Sequence, residues 1–148
     1  MSSLKKVKLS KSPDDTFQIA YKVALKINAP RLIGLFGELG TGKTLFVKGF
    51  ANGLGVQELV TSPTFLGISE YYSGKDTLVH MDFYKKVQEE KLIKEYLKKP
   101  SIVLIEWAGN YKEVFNKDLN LDIRVYIEYV TDKEQNILNN ERHLTMIY

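Results

Sequence analysis

Cysteine is absent from the 148 residues, which excludes disulfides and thiolate zinc sites and suits a reducing compartment. Histidine occurs only at positions 80 and 143, with no cluster of ligands around either, so an imidazole-built metal centre is excluded as well. Arginine is scarce: Arg31, Arg124 and Arg142 are the only ones among twenty-one basic side chains. Long apolar runs are missing, and none approaches the roughly eighteen residues needed to span a bilayer. The opening Met-Ser-Ser-Leu-Lys-Lys-Val-Lys-Leu lacks the apolar core of a signal peptide. The expectation is a soluble, cytoplasmic protein with no membrane partner. Internal repeats and low-complexity segments are absent too.

The net charge of +3 is modest, and hydrophobic residues make up 44% of the chain. That is enough for one core, and a single domain over 1–148 is expected. The lysine groups Lys5-Lys6-x-Lys8, Lys85-Lys86 and Lys98-Lys99 are scattered along the sequence without an aromatic platform. They read as solvated faces rather than as a nucleic-acid stripe.

What is present is concentrated between positions 32 and 44. The apolar run Leu32–Phe36 leads into Gly37-Glu38-Leu39-Gly40-Thr41-Gly42-Lys43-Thr44, and the helical pattern Leu45, Phe46, Val47, Phe50, Ala51 follows at once. Strand, glycine-rich loop and helix in that order make a P-loop. Glycines at 37, 40 and 42 let backbone N–H groups turn inward as an anion nest, reinforced by the positive end of the next helix. Lys43 is expected to reach the outer phosphates and the Thr44 hydroxyl to hold Mg²⁺.

Around this stretch the chain reads as follows. Residues 5–9 alternate like a short edge strand. Ser12-Pro13-Asp14-Asp15 starts a helix, with Ser12 as N-cap and Asp15 as a short-armed capping box. Its inward stripe is Phe17, Ala20, Tyr21, Ala24 and Ile27. The helix after the loop runs to about Leu54, with Gly55 as its left-handed cap. Residues 60–65 are neither helix nor inner strand. Gly67–Tyr72 and Thr77–Tyr84 form a hairpin around the turn 73–76, and Lys86–Lys99 an amphipathic helix stopped by Pro100. Ser101–Glu106 is an inner parallel strand buried on both faces. Leu119–Val130 alternates like an antiparallel strand covered on one side, with Leu119, Leu121, Ile123, Val125, Ile127 and Tyr129 facing one way. Residues 131–141 read as a mobile hairpin tip and 142–148 as a last strand. The sum is a three-layer α/β fold: a mixed sheet with a parallel centre and antiparallel extensions, flanked by helices. Ligand is expected at the carboxyl ends of the parallel strands.

A P-loop needs a second carboxylate to fix Mg²⁺ and order water. Asp82 and Glu106 both end apolar strands, and spacing alone does not rank them. Glu106 ends the more apolar run and is assigned to Mg²⁺ with Thr44. Asp82 is then free to orient the attacking water. Thr61, Ser62 and Thr64 fit either a γ-phosphate switch or a plain hydroxyl-rich turn. His80 reads as a hydrogen-bonded core histidine rather than a general base. Trp107 fits either ordinary packing or a cover over the nucleotide, and Glu38 is a solvent-facing side chain. An Asn-Lys-x-Asp guanine element would need aspartate at 119, where the chain has leucine, so adenine is favoured by elimination.

Four motifs in register resemble the TsaE (YjeE) family, P-loop ATPases of bacterial tRNA threonylcarbamoyladenosine biosynthesis. They are Gly37–Thr44, Thr61-Ser62-Pro63-Thr64-Phe65, His80-Met81-Asp82-Phe83-Tyr84-Lys85 and Ile105-Glu106-Trp107. The resemblance implies that Lys43 and the loop amides bind ATP, that Thr44 and Glu106 hold Mg²⁺, and that Asp82 serves hydrolysis. It implies that Ser62, Pro63 and Thr64 form a switch-like segment and that Trp107 lies beside the nucleotide. It points to the Ser12–Asp14 region and a C-terminal arginine for adenine, without fixing a residue. As partners it implies the TsaD and TsaB proteins, which modify N6 of adenosine 37 in tRNAs reading ANN codons, with ATP hydrolysis resetting that machine. The chain departs from the family where Lys85 replaces arginine and Ala108 replaces proline.

The expected activity is therefore a Mg²⁺-dependent ATPase, slow alone because no arginine is obviously placed to complete the site. The rival readings are a small-molecule kinase, which three scattered arginines serve poorly, and a nucleotide-gated binding module.

Overall fold

In the computed structural model, which describes residues 3–148, Ser12 caps the first helix as its place ahead of Pro13 predicts. Its hydroxyl accepts the Asp15 N–H at 3.1 Å, and the Asp15 carboxylate returns to the Lys11 N–H at 2.9 Å. This reciprocal pair satisfies one backbone donor in the first turn and one just before it. Replacing Ser12 by alanine should cost about 1 kcal/mol. Thermal unfolding should then show a melting temperature lower by about 3 °C, and an unchanged one would dismiss the cap.

The elements in order are β1 (Lys5–Ser10), α1 (Pro13–Ala24), β2 (Arg31–Phe36), α2 (Lys43–Leu54), β3 (Ile68–Tyr72), β4 (Thr77–Asp82), α3 (Glu90–Leu97), β5 (Ser101–Glu106), α4 (Asn110–Phe115), β6 (Ile123–Thr131) and β7 (Ile137–Ile147). The strands form one sheet in the order β1-β7-β6-β2-β5-β4-β3. The four central strands β6, β2, β5 and β4 run parallel, and β7, β1 and β3 are antiparallel to their neighbours. A parallel centre with antiparallel extensions is the expected architecture. All six residues of β5 are buried, as befits a strand covered on both faces.

One apolar cluster packs α1 and α2 on the sheet through Ala20, Phe46 and Phe50 against Leu35, Leu104 and Val125. The other packs α3 and α4 on the opposite face through Ile93 and Tyr111 against Leu32, Val79 and Ile105. Among the described residues no helix is long and apolar enough to cross a membrane.

Several local expectations are corrected. β6 runs parallel to β2, not only antiparallel to a neighbour, and begins at Ile123. Asp122 sets that start, its N–H donating to the Leu32 carbonyl and its carboxylate accepting the Leu32 N–H. Leu119 and Leu121 precede the strand and pack in the second cluster, whereas Ile123, Val125 and Ile127 belong to the first. The buried side of α1 is Thr16, Ala20, Val23 and Ala24, with Phe17 and Tyr21 only half-buried. α3 starts four residues later than predicted, because the Lys85 and Lys86 N–H groups close a turn on the Asp82 carbonyl. Gln88 then reaches back to the Leu66 carbonyl. β4 stops at Asp82 for the same reason. The hairpin tip is short: β7 already begins at Ile137, and the Asp132 carboxylate gathers the N–H groups of Glu134 and Asn136. The six-residue α4 was not anticipated, its apolar face being too brief to show a period.

Candidate functional site

The loop between β2 and α2 is shaped by two different glycine requirements. Gly42, the residue that precedes α2, has φ 112°, a region side chains rarely enter. Gly37 has an ordinary φ and is needed for space, since a Cβ there would lie 2.5 Å from the Ile127 carbonyl oxygen and 2.7 Å from the Thr41 hydroxyl. The hydroxyl of Thr41 and its N–H both donate to the Glu38 carbonyl. The Glu38 side chain is exposed, as expected, and this residue's structural part is played by its carbonyl. No side chain caps α2, and its first turn has no acidic residue. The first-turn amides therefore have no helical partner, and the positive helix end is not neutralised locally. An anion is what such an end binds.

Lys43 is 5% exposed. Its ammonium donates to the carbonyls of Gly37 and Glu38 at 2.7 and 2.8 Å and lies 4.1 Å from the centre of the Trp107 ring. Burial lowers its pKa, while Glu106 and Asp82 pull it back up. Trp107 itself has φ 58°; for a bulky residue this conformation costs about 1–3 kcal/mol and is held only by its surroundings. Here they are Tyr84, whose ring centre is 5.1 Å away, and the Lys43 ammonium.

The two carboxylates of the sequence argument are neighbours, because Asp82 and Glu106 are register partners at the carboxyl ends of β4 and β5. The Thr44 hydroxyl donates to one Glu106 oxygen, Oε1, at 2.9 Å, and His80 Nε2 donates to the other, Oε2, at 2.6 Å. Thr44 thus meets Glu106 and not Asp82, a distinction that spacing did not make. Asp82 is 7% exposed and accepts the Tyr84 N–H at 3.0 Å. Burial raises its pKa foremost. The Tyr84 amide opposes that rise and Glu106 adds to it, while His80 and Lys85 lower it.

Among the described residues no three His, Cys, Asp or Glu side chains form a metal-holding group by themselves. The donors here are hard oxygens, Thr44 Oγ1 and the Glu106 carboxylate. They fit Mg²⁺, which takes one or two protein oxygens and fills its octahedron with phosphate and water.

A cleft of about 340 Å³ collects these groups: Leu39, Gly40, Gly42, Lys43, Thr44, Ser62, Asp82, Glu106 and Trp107 all lie on its wall. Pro63 and Thr64 do not line it. Pro63 is buried, its carbonyl held by the Lys85 ammonium, and Thr64 is exposed. Lys85 thus ties the segment after Asp82 to the segment after Ser62.

Two contributors were not foreseen. The Tyr129 hydroxyl donates to the Leu39 carbonyl at 2.6 Å, and Arg142 Nε donates to the Thr41 carbonyl at 3.1 Å. The Arg142 guanidinium also stacks 4.6 Å from the Tyr129 ring centre. The β6–β7 hairpin therefore grips the loop carbonyls from outside. Both residues lie about a hundred positions from the loop, and no local pattern marks them.

The fold agrees with the comparisons. The family model described as threonylcarbamoyl adenosine biosynthesis protein TsaE matches residues 10–137. The tRNA threonylcarbamoyladenosine biosynthesis protein TsaE of Bacillus subtilis is 36% identical over 128 residues, covering 85% of this chain and 79% of that protein. The Aquifex aeolicus protein of the same name is 32% identical over 139 residues, covering 93% and 96%. The crystal structure of Bacillus subtilis YdiB superposes with a TM-score of 0.77 at 28% identity, over 99% of this chain and 87% of that one. With a family-model match that spans the loop, both carboxylate strands and the whole parallel centre of the sheet, the chain belongs to the TsaE family.

Proposed function

We propose that the protein is a Mg²⁺-dependent ATPase of the apparatus that places N6-threonylcarbamoyl on adenosine 37 of tRNAs reading ANN codons. In this reading its hydrolysis resets a TsaD–TsaB pair. The observation that carries the proposal is the 2.9 Å hydrogen bond from Thr44 to Glu106, which joins the phosphate loop to the acidic end of a second strand.

The loop amides and Lys43 bind the β- and γ-phosphates. Thr44 and Glu106 would hold Mg²⁺, which would supply positive charge against the phosphates. Asp82 orients water and accepts its proton, and a carboxylate whose burial raises its pKa is the better base for it. Trp107 covers the nucleotide on the lysine side. A hollow of about 130 Å³ beside Gly40–Gly42 is lined by Ser12, Thr16 and Arg142, and its position supports placing adenine there.

Lys43 is the only cation on the cleft wall among the described residues. A second cation, supplied by a partner, is worth a factor of about 10³–10⁵ in related phosphoryl transfers. Phosphate release from Mg-ATP should accordingly be slow for the protein alone and rise at least tenfold with the TsaD–TsaB pair of the same cell. Fast turnover that the pair does not alter would sink the partner-completed mechanism. The kinase alternative gains nothing from Arg142, whose guanidinium is spent on the backbone carbonyls of Thr41, Asn139 and Glu141.

A further inference from the structure

His80 is fully buried, and among the described residues its Nδ1 is the one buried side-chain polar atom without a hydrogen-bond partner. All of its polar contact is the 2.6 Å bond from Nε2 to Glu106 Oε2. The hydrogen sits on Nε2, because a lone pair stranded at Nδ1 costs less than a stranded N–H facing no acceptor. An imidazole kept in the core at the expense of one unsatisfied nitrogen calls for a reason. Core packing alone would favour leucine or phenylalanine at this place.

The Glu106 carboxylate supplies that reason. It is 3% exposed, so each oxygen needs a partner from the protein or a ligand. Oε1 faces Thr44 and Oε2 faces the interior, where among the described residues His80 is its only donor. Asp82, the register partner of Glu106, adds a second negative charge beside it. Without His80, Oε2 would be left unpaired next to a like charge. The carboxylate would then rotate away from Thr44, which removes it as the oxygen ligand beside that hydroxyl.

We propose that His80 is the positioning residue that holds the Glu106 carboxylate turned toward Thr44, so that the imidazole sets the strength of the Mg²⁺-dependent part of nucleotide binding. The proposal rests on reading Thr44 and Glu106 as the metal-holding pair. It assigns His80 no contact with nucleotide and no proton transfer to it. The geometry also says which replacement should work. Glutamine places its amide nitrogen as many bonds from the backbone as His80 Nε2, and asparagine stops one bond short.

The test is calorimetric titration with a non-hydrolysable ATP analogue, once in EDTA and once in excess Mg²⁺, on wild type and on His80→Leu, His80→Gln, His80→Asn and Glu106→Gln. Wild type should bind the analogue more tightly with Mg²⁺. His80→Leu should lose at least tenfold of that gain while binding in EDTA stays within twofold, and His80→Gln should keep it. A merely structural histidine would weaken both titrations alike. Should the leucine variant not fold, the Gln and Asn pair decides: the gain kept in Gln and lost in Asn supports the proposal, and equal gains overturn it. A full Mg²⁺ gain in folded His80→Leu also overturns it. The Glu106→Gln control separates the two levels. If that variant retains the gain, the metal assignment itself fails. If it loses the gain while His80→Leu keeps it, only the role of His80 fails.

Discussion

Lys43→Ala should weaken ATP binding at least a hundredfold while the far-ultraviolet circular dichroism stays that of the folded chain. The size follows from what one ammonium does here. A charge-assisted hydrogen bond to phosphate contributes about 1.5–3 kcal/mol, and a hundredfold in affinity is about 2.8 kcal/mol. Lys43 is also the only cation facing Asp82 and Glu106 on the cleft wall among the described residues, so its removal takes away the one side-chain positive charge there between phosphate oxygens and the two carboxylates. The Trp107 ring, 4.1 Å from Nζ, offers a direct readout: its emission should change on adding nucleotide to the wild type and stay flat for the variant. Lys43→Arg should not rescue, because a planar guanidinium does not fit the paired carbonyls of Gly37 and Glu38 that hold Nζ. Retention of wild-type affinity by Lys43→Ala would remove the loop from phosphate recognition.

Asp82→Asn separates binding from turnover and reverses the usual sign of a substitution's effect on stability. Phosphate release in single-turnover measurements should fall by about 10²–10⁴, the range for loss of a positioned general base. Nucleotide affinity should stay within about threefold. Stability should rise. Burial and Glu106 raise the Asp82 pKa above its ordinary 3.8, so the folded state binds more protons than the unfolded state between 3.8 and the raised value. Stability therefore declines as pH climbs through that window. At pH 7 the wild type carries the whole penalty, and asparagine removes it. A melting temperature above that of the wild type is expected at pH 7. The gain should shrink toward nothing as the pH falls toward 3.8. Normal turnover in the variant would reassign the base. A lower melting temperature at pH 7 would mean that the Tyr84 amide bond, at 3.0 Å, outweighs the buried charge.

Much of this was legible because it is local. The P-loop spacing, the Ser12 cap, the Gly55 cap at φ 97° and the six-residue run of β5 each follow from chemistry within a few residues. Both carboxylates were found for the same reason, since an acid that ends an apolar strand is visible in any sequence. Direction was not legible at β6. Alternation at Ile123, Val125 and Ile127 is the same whether a strand pairs parallel or antiparallel, and only its place beside β2 decided that. The late start of α3 was hidden as well, because its first residues are diverted by contacts to Asp82 and Leu66 from elsewhere in the chain.

The sequence by itself determined that a glycine-rich loop with P-loop spacing, two candidate acids and a buried histidine exist on an α/β scaffold. Tertiary structure alone decided which acid meets Thr44, that His80 braces that acid from behind, and that Tyr129 and Arg142 clasp the loop. Those pairings join residues 26 to 101 positions apart. Strand register and sheet order, which depend on the packing of the whole chain, bring such residues together, and no pattern confined to one element encodes them.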